Sequence, residues 1–162
     1  MSDINNSYKT DMINRAYRLA LKAHENQVDK GGKPYIEHVM KVASSFVGDY
    51  ETRIVALLHD VIEDTPYTLE DIIQEGFSKS IIEAISVITK SDDMDYMEYI
   101  EAISNNEIAR KVKIADLRHN MDISRIPNPS KQDFERIIKY QKALVYLEKT
   151  NGEDTKWRQN KL

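Results

Sequence analysis

The sequence predicts an all-α protein, a single-domain helical bundle. Three observations predict it: apolar residues recur at spacings of three and four, strict alternation is scarce, and the 162 residues include only five Gly and four Pro. A chain of this length corresponds to one domain with a sizeable core. We place that domain at residues 1–150 and expect residues 151–162 to form a polar C-terminal tail, in which Trp157 packs back on the domain or binds a partner.

The first three predicted helices occupy the N-terminal part of the chain. Thr10 or Asp11 is a good cap for the first helix, which two glycines end. Pro34 suits the first position of the second helix, which ends at Gly48, and Asp49 caps the third. The expected inward residues are Ile13, Ala16, Tyr17, Ala20, His24 and Val28 in the first helix and Tyr35, His38, Val39, Val42 and Phe46 in the second.

The remaining helices have equally clear boundaries. Thr68 begins a capping arrangement for a short helix that closes at Gly76. Ser130 and Asp133 cap a last long helix, which we expect Gly152 to end. Between these two, amphipathic helices are predicted over residues 80–89, 96–103 and 106–121.

Composition and charge narrow the functional classes. The net charge of −4 implies no large basic surface for nucleic acid. Cysteine is absent, which excludes disulfides and thiolate chemistry, and no apolar run approaches the length of a membrane span. The N-terminal residues contain no apolar signal region. We therefore expect a cytoplasmic protein with a small-molecule partner and with no nucleic-acid or membrane partner.

The stretch over residues 57–65 is the most unusual in the chain, because His59, Asp60, Glu63 and Asp64 lie among apolar residues. If the third helix runs through it, His59 shares a face with Glu63, and Asp60 shares one with Asp64. Burying unpaired carboxylates costs several kcal/mol each, and a divalent cation would compensate them. The alternative is a solvated helix end, which we favour less because two more ligand-like positions occur elsewhere.

Those two positions are His38 and Asp116, which both fall on apolar helix faces. An inward carboxylate needs a cation or strong donors, and Lys113, three residues before Asp116, could make that position purely structural. The combined candidate set is His38, His59, Asp60 and Asp116. It offers two imidazoles and two carboxylates from three helices, and mixed nitrogen and oxygen ligation suits Mn, Fe or Zn better than Ca.

Four segments occur in an order that resembles the HD-domain metal phosphohydrolases. They are Ala23-His24-x-x-Gln27, Pro34-Tyr35-Ile36-Glu37-His38, His59-Asp60-Val61-Ile62-Glu63-Asp64-Thr65 and Lys113-Ile114-Ala115-Asp116-Leu117-Arg118-His119-Asn120-Met121. Within that family they most resemble the (p)ppGpp hydrolase branch, meaning the hydrolase domain of the RelA/SpoT proteins and the small alarmone hydrolases. The matching segments span roughly residues 16–140. No synthetase domain accompanies them, so we expect this chain to hydrolyse only.

The resemblance implies an all-α fold, one catalytic cation and a reaction. The cation, usually Mn²⁺, would be held by His38, His59, Asp60 and Asp116. Glu63 and Asp64 would be catalytic: one accepts the proton of the attacking water, and the other orients the water or the leaving group. The implied enzyme is a metal-dependent phosphohydrolase that removes pyrophosphate from the ribose 3′ position of ppGpp or a related nucleotide.

The resemblance also implies substrate contacts. Lys30 matches a basic residue beside the substrate, Asn120 a residue near the ribose, and Tyr140 a nucleoside-contacting tyrosine, although a packing role for Tyr140 is an equal alternative. Other functions stay open: hydrolysis of another nucleotide or phosphate ester, a nucleotide-sensing binding module, or a helical interaction scaffold. The full set of ligands and water-handling carboxylates favours an enzyme.

Two positions depart from the family pattern. Asp29 stands where the alarmone hydrolases usually have an Arg, and a carboxylate cannot donate to guanine O6 or N7. The cation before the His-Asn pair has moved by one position to Arg118, about 100° around the helix. We therefore predict that metal binding survives and that guanine is discriminated weakly.

Overall fold

The computed structural model describes the backbone of residues 2–159 and the side chains of residues 4–150. Within that part the protein is a bundle of α-helices, which confirms the predicted all-α class. The helices are α1 (Ser2–Ala23), α2 (Tyr35–Ala43), α3 (Tyr50–Leu58), α4 (Val61–Asp64), α5 (Leu69–Gln74), α6 (Lys79–Ile88), α7 (Tyr96–Ser104), α8 (Glu107–Asn120) and α9 (Lys131–Gln159). Turns of 3-10 helix cover Ser44–Phe46 and Ile123–Arg125. Among the described helices, none combines the length and the apolar character needed to cross a membrane.

Helix α3 is the centre of the bundle, because α1, α2, α6 and α8 all pack against it. Its residues Ile54, Val55 and Leu57 are at most 2% exposed. The side chain of Asp49 caps its N-terminus by accepting the backbone N–H of Thr52, as predicted. The polar residues that follow α3 therefore begin deep inside the protein.

The third helix does not continue unbroken to Asp64, as the sequence pattern suggested. Regular helix ends at Leu58, Asp60 adopts φ −104° and ψ −2°, and the separate helical turn α4 begins at Val61. In an unbroken helix, consecutive side chains diverge by about 100°. The break instead brings the carboxylate of Asp60 to 2.8 Å from His59 Nε2. The expectation that one continuous helix carries this stretch is therefore wrong, and the side chains of His59 and Asp60 are directed toward the same point.

Helix α1 differs from the prediction at both ends. It begins at Ser2 rather than near Thr10, whose hydroxyl donates to a carbonyl one turn earlier instead of capping the helix. It ends at Ala23, so Val28 lies in the following loop and is 64% exposed instead of facing inward. That loop leads directly into α2 and forms one wall of the candidate site.

The caps predicted for α5 and α9 are confirmed, and α8 has a cap that was not predicted. Thr68 and Asp71 form the capping box of α5. Asn106 caps α8, and the hydroxyl of Ser130 donates to the carboxylate of Asp133 at the start of α9. The caps of α8 and α9 fix the starts of two helices that line the cavity described below.

Helix α9 does not end at Gly152 but continues to Gln159. One Gly disfavours a helix interior by only about 1 kcal/mol relative to Ala, which favourable neighbours can offset. The side chain of Trp157 lies outside the described residues. The domain boundary at residue 150 stays a prediction.

Candidate metal centre and its cavity

The four predicted metal ligands come together at one point of the bundle. Helix α2 positions His38, the turn between α3 and α4 positions His59 and Asp60, and α8 positions Asp116. One candidate ligand atom from each residue lies within 4.8 Å of the others. His38, His59 and Asp116 are only 2–3% exposed. This arrangement can hold a metal ion.

Hydrogen bonds orient the two histidines toward the cluster. His59 Nδ1 lies 2.7 Å from the carbonyl oxygen of Ala56, which only accepts, so this Nδ1 donates. Both Nε2 atoms are buried and lack a well-formed hydrogen bond among the described residues. Carboxylate oxygens lie close to both, at 3.2 Å from the Nε2 of His38 and 2.8 Å from that of His59. Buried imidazole nitrogens facing carboxylates fit the donor set of a mixed nitrogen–oxygen metal site.

The same contacts shift the protonation equilibria of the cluster. Burial by itself lowers the pKa of a histidine, but Asp60 and Asp116 raise the pKa of His59 well above its usual value and that of His38 above it. Burial by itself raises the pKa of a carboxyl, but Lys113 and the two histidines hold the pKa of Asp116 well below its usual range. A metal ion that binds here therefore competes with protons for the two histidines.

Polar neighbours satisfy further lone pairs of the two carboxylates. Lys113 Nζ donates to Asp116 Oδ2 at 3.0 Å, and Asn120 Nδ2 donates to Asp116 Oδ1 at 2.6 Å. The hydroxyl of Tyr35 donates to Asp60 Oδ2 at 2.7 Å. The pairing of Lys113 with Asp116 that the sequence allowed does form, and it coexists with the contacts between Asp116 and the histidines. The two interpretations are not exclusive.

Glu63 and Asp64, on the single turn of α4, are both exposed and line the same cavity as the ligands. Partial desolvation of the carboxyl groups against the cavity wall raises both pKa values, and the charge of Asp60 adds to the effect at Asp64. The backbone N–H of Lys90 donates to Glu63 Oε2 at 3.1 Å. Gln27 holds the other end of this turn by donating to the carbonyl of Asp64 at 2.9 Å.

A cavity of about 400 Å³ borders the cluster, and the predicted substrate residues Lys30, Asn120 and Tyr140 all line it. Lys30 is 62% exposed at the rim and lies 3.4 Å from a carboxylate oxygen of Asp133. Tyr140 is half-buried, and its ring centroid lies 6.4 Å from that of Tyr96. Tyr140 therefore packs on the core and lines the cavity at once.

Asp29 does not extend into the cavity as a free carboxylate. It forms an ion pair with Arg125, and its Oδ1 accepts the backbone N–H groups of Gly31 at 2.8 Å and Lys33 at 3.0 Å. Its side chain is only 9% exposed. The residue that departs from the family pattern is thus part of the loop's own structure.

The sequence interpretation missed several residues of this region. Arg125 and Arg136 line the cavity, and the Nδ1 of His119 lies 2.7 Å from the Nδ1 of His38. His119 stands inside one of the segments that carried the resemblance, so its place could have drawn attention to it. The pairing of Arg125 with Asp29 joins residues 96 positions apart, and no local spacing indicates such a contact.

Comparison with protein families gives a match to the model described as the HD domain, over residues 16–124. Two curated relatives are much longer than this chain. The bifunctional (p)ppGpp synthase/hydrolase SpoT of Escherichia coli (strain K12) is 38% identical over 125 residues, which cover 67% of this chain and 17% of that protein. The GTP pyrophosphokinase of Streptomyces coelicolor is 32% identical over 133 residues, which cover 75% of this chain and 16% of that protein. The match thus spans only 16–17% of the length of these relatives.

A solved structure has a similar fold. It is described as a metazoan ortholog of SpoT that hydrolyzes ppGpp and plays a role in starvation responses. It superposes with a TM-score of 0.71, covers 91% of this chain and 95% of its own, and is 22% identical in sequence. At that identity the likeness shows that the two chains share a fold.

Proposed function

We propose that this chain, which belongs to the HD-domain family, is a metal-dependent phosphohydrolase that removes pyrophosphate from the ribose 3′ position of ppGpp or a related nucleotide. One observation carries the proposal: four ligand atoms lie within 4.8 Å of one another beside a cavity that the exposed carboxylates of Glu63 and Asp64 also line. The names of the relatives supply the substrate class, because SpoT of E. coli is named as a (p)ppGpp synthase/hydrolase. We place this activity in the cytoplasm.

His38, His59, Asp60 and Asp116 would hold one divalent cation, most simply Mn²⁺. Two nitrogen and two oxygen donors are compatible with Mn²⁺, as they are with Fe²⁺ or Zn²⁺, and a set of four leaves further positions open. When bound, the cation supplies positive charge that acidifies water and offsets the charge developing on the phosphate. The two buried histidine Nε2 atoms support this assignment, because a metal ion would give both of them a partner.

Glu63 and Asp64 would act on the attacking water, one as general base and the other as orienting group. The water oxygen attacks the phosphorus attached to O3′, the P–O3′ bond breaks, and the released O3′ takes a proton. One carboxylate accepts the proton that the water loses, and the other orients the water or the leaving group. The raised pKa values of both carboxyls make each a better proton acceptor than an ordinary carboxylate.

The cationic side chains around the cavity suit a polyphosphate. Lys30, Lys113, Arg125 and Arg136 line it. Lys30 and Arg136 both contact Asp133, at 3.4 and 2.9 Å, so one carboxylate holds two cations near the rim. Asn120 and Tyr140 also line the cavity, and we assign them to the ribose and the nucleoside. Charge complementarity of this kind favours binding of anionic phosphate groups.

A turnover panel with product identification tests the proposal. Metal-stripped protein reloaded with Mn²⁺ is given ppGpp, other nucleotides and simple phosphate esters. We expect ppGpp to yield GDP and pyrophosphate. Release of single phosphates from other esters, without cleavage of ppGpp, would contradict the substrate and leave a different HD-domain phosphohydrolase. Binding of ppGpp without any turnover would indicate a sensing module instead.

A further inference from the structure

A chain of polar contacts leads from the loop before α2 to the back of His38. Arg125 forms an ion pair with Asp29. The Nη1 of Arg125 lies 3.2 Å from the Nδ1 of His119 and 3.1 Å from its carbonyl oxygen. The Nδ1 of His119 lies 2.7 Å from the Nδ1 of His38. We call Asp29, Arg125 and His119 the relay.

The donors and acceptors of this chain determine where its protons lie. A guanidinium donates and never accepts, so the Nδ1 of His119 accepts from Arg125 and has no proton of its own. A hydrogen bond between two nitrogens needs one proton, so the Nδ1 of His38 must supply it, and the single lone pair of the His119 Nδ1 is shared between His38 and Arg125. A neutral His38 then has its lone pair on Nε2, the atom 3.2 Å from Asp116 within the ligand cluster.

We propose that the relay selects the tautomer of His38 that leaves Nε2 free for a metal ion, which makes Arg125 and His119 positioning residues of the metal centre. This inference rests on the metal site of the proposed function. Without Arg125, His119 could carry a proton on Nδ1 and donate it to His38. The proton of His38 would then move to Nε2, where Asp116 would accept it, and the ligand atom would be blocked.

His59 shows why His38 needs such a device. The Nδ1 of His59 lies 2.7 Å from the carbonyl oxygen of Ala56, and a carbonyl can only accept. The tautomer of His59 is therefore fixed by the backbone alone. The partner of His38 is another imidazole, which can donate or accept, so a third group has to decide. Arg125 can only donate a hydrogen bond, so it fixes the Nδ1 of His119 as an acceptor.

The loop before α2 holds Arg125 in place. The side chain of Asp29 is 9% exposed. It accepts hydrogen bonds from two backbone N–H groups of its own loop and forms an ion pair with the guanidinium of Arg125. Gly31 lies so close to the carbonyl oxygen of Arg125 that an added Cβ would collide with it. The loop and the 3-10 turn at Arg125 are thus fitted to each other, and Asp29 has a role that does not involve the substrate.

Two variants of nearly identical shape test the relay. Leu and Asn branch alike, but only Asn places an acceptor oxygen near the former Nδ1. We expect His119→Leu to weaken Mn²⁺ binding by about 10–100-fold and His119→Asn to restore most of it. The measurement is the dissociation constant of the full chain by competition with a chelating dye. Arg118→Ala is the matched control, because Arg118 adjoins His119 on α8 but pairs with the exposed Glu148. Equal affinities for the Asn and Leu variants would overturn the relay.

A spectroscopic experiment tests the tautomer itself. Long-range ¹H–¹⁵N spectra are recorded on metal-free protein at a pH at which the imidazoles are neutral. In the wild type they should show the His38 proton on Nδ1. Arg125→Met should move a share of it to Nε2, and Arg125→Lys, which keeps a cationic donor, should move less. A wild-type His38 with its proton on Nε2 would overturn the inference.

These outcomes separate the relay from the proposed function. If the wild type binds a cation but does not cleave ppGpp, the substrate proposal fails, and the affinity comparison still decides the relay. If the wild type binds no divalent cation, the metal centre and the relay both fail.

Discussion

The floor of the cavity and its rim differ in burial and in how their geometry arises. The floor is the ligand set His38, His59, Asp60 and Asp116, and the rim is the set Asp29, Lys30, Arg125, Arg136 and Tyr140. Three floor residues are 2–3% exposed and belong to, or directly adjoin, helices of the core, whereas the rim residue Lys30 is 62% exposed. The geometry of the floor is therefore set by the core helices, whereas that of the rim is set by loops and by α9. Changes to the floor should abolish function, and changes to the rim should tune it.

The largest expected effect comes from removing a floor ligand. We predict that His59→Ala and Asp116→Ala each lose the metal ion, because a buried site then lacks one donor and keeps uncompensated charge. Elemental analysis after dialysis should give about one metal per chain for the wild type. Asp92→Ala, a change at an exposed carboxylate, is the control and should keep the metal. Full occupancy in both ligand variants would contradict the ligand assignment.

The next effect concerns the carboxylates between the floor and the rim. Glu63→Gln and Asp64→Asn should keep the metal and lower kcat by about 10²–10⁴-fold in at least one case, as expected for removal of a general base. The larger loss identifies the base. Glu70→Gln, at an exposed carboxylate on α5, is the control. Near-normal kcat in both metal-loaded variants would show that the pair has no part in the chemistry.

The third expected effect is a pH dependence of metal binding at the floor. The carboxylates raise the pKa values of His38 and His59, so protons compete with the cation below those raised values. Metal affinity should therefore increase with pH above the ordinary histidine range, by about tenfold per pH unit for each proton displaced, and level off once both histidines are neutral. Titration with Mn²⁺ at several pH values measures this. A flat profile would mean that the histidines are not ligands.

The sequence predicted the floor better than the rim, for a physical reason. His38 and Asp116 fall on apolar helix faces, so helical periodicity alone made their polarity conspicuous. The break after Leu58 was missed, because a local change of φ at Asp60 leaves no trace in apolar spacing. Asp29 was interpreted only as the loss of a guanine-contacting Arg, because nothing local reveals that it pairs with Arg125.

The smallest expected effect is at the rim and concerns the base of the nucleotide. The family's Arg is absent, and Asp29 is occupied by Arg125 and by its own loop. Loss of a bidentate contact to guanine removes about 1–3 kcal/mol of selectivity. We therefore predict that ppGpp and its adenine counterpart differ by less than about two orders of magnitude in kcat/KM.

The ratio of the two wild-type kcat/KM values, with Mn²⁺ supplied, is the measurement that decides this prediction. An Arg introduced at position 29 is a poor test, because it would lie beside Arg125 and remove the acceptor for Gly31 and Lys33. Arg118→Ala serves as the control, since Arg118 pairs with Glu148 away from the rim and should leave the ratio unchanged. A guanine preference well beyond a hundredfold would mean that another rim group replaces the missing contact. Arg125 would then be the first residue to substitute, because its guanidinium already lines the cavity.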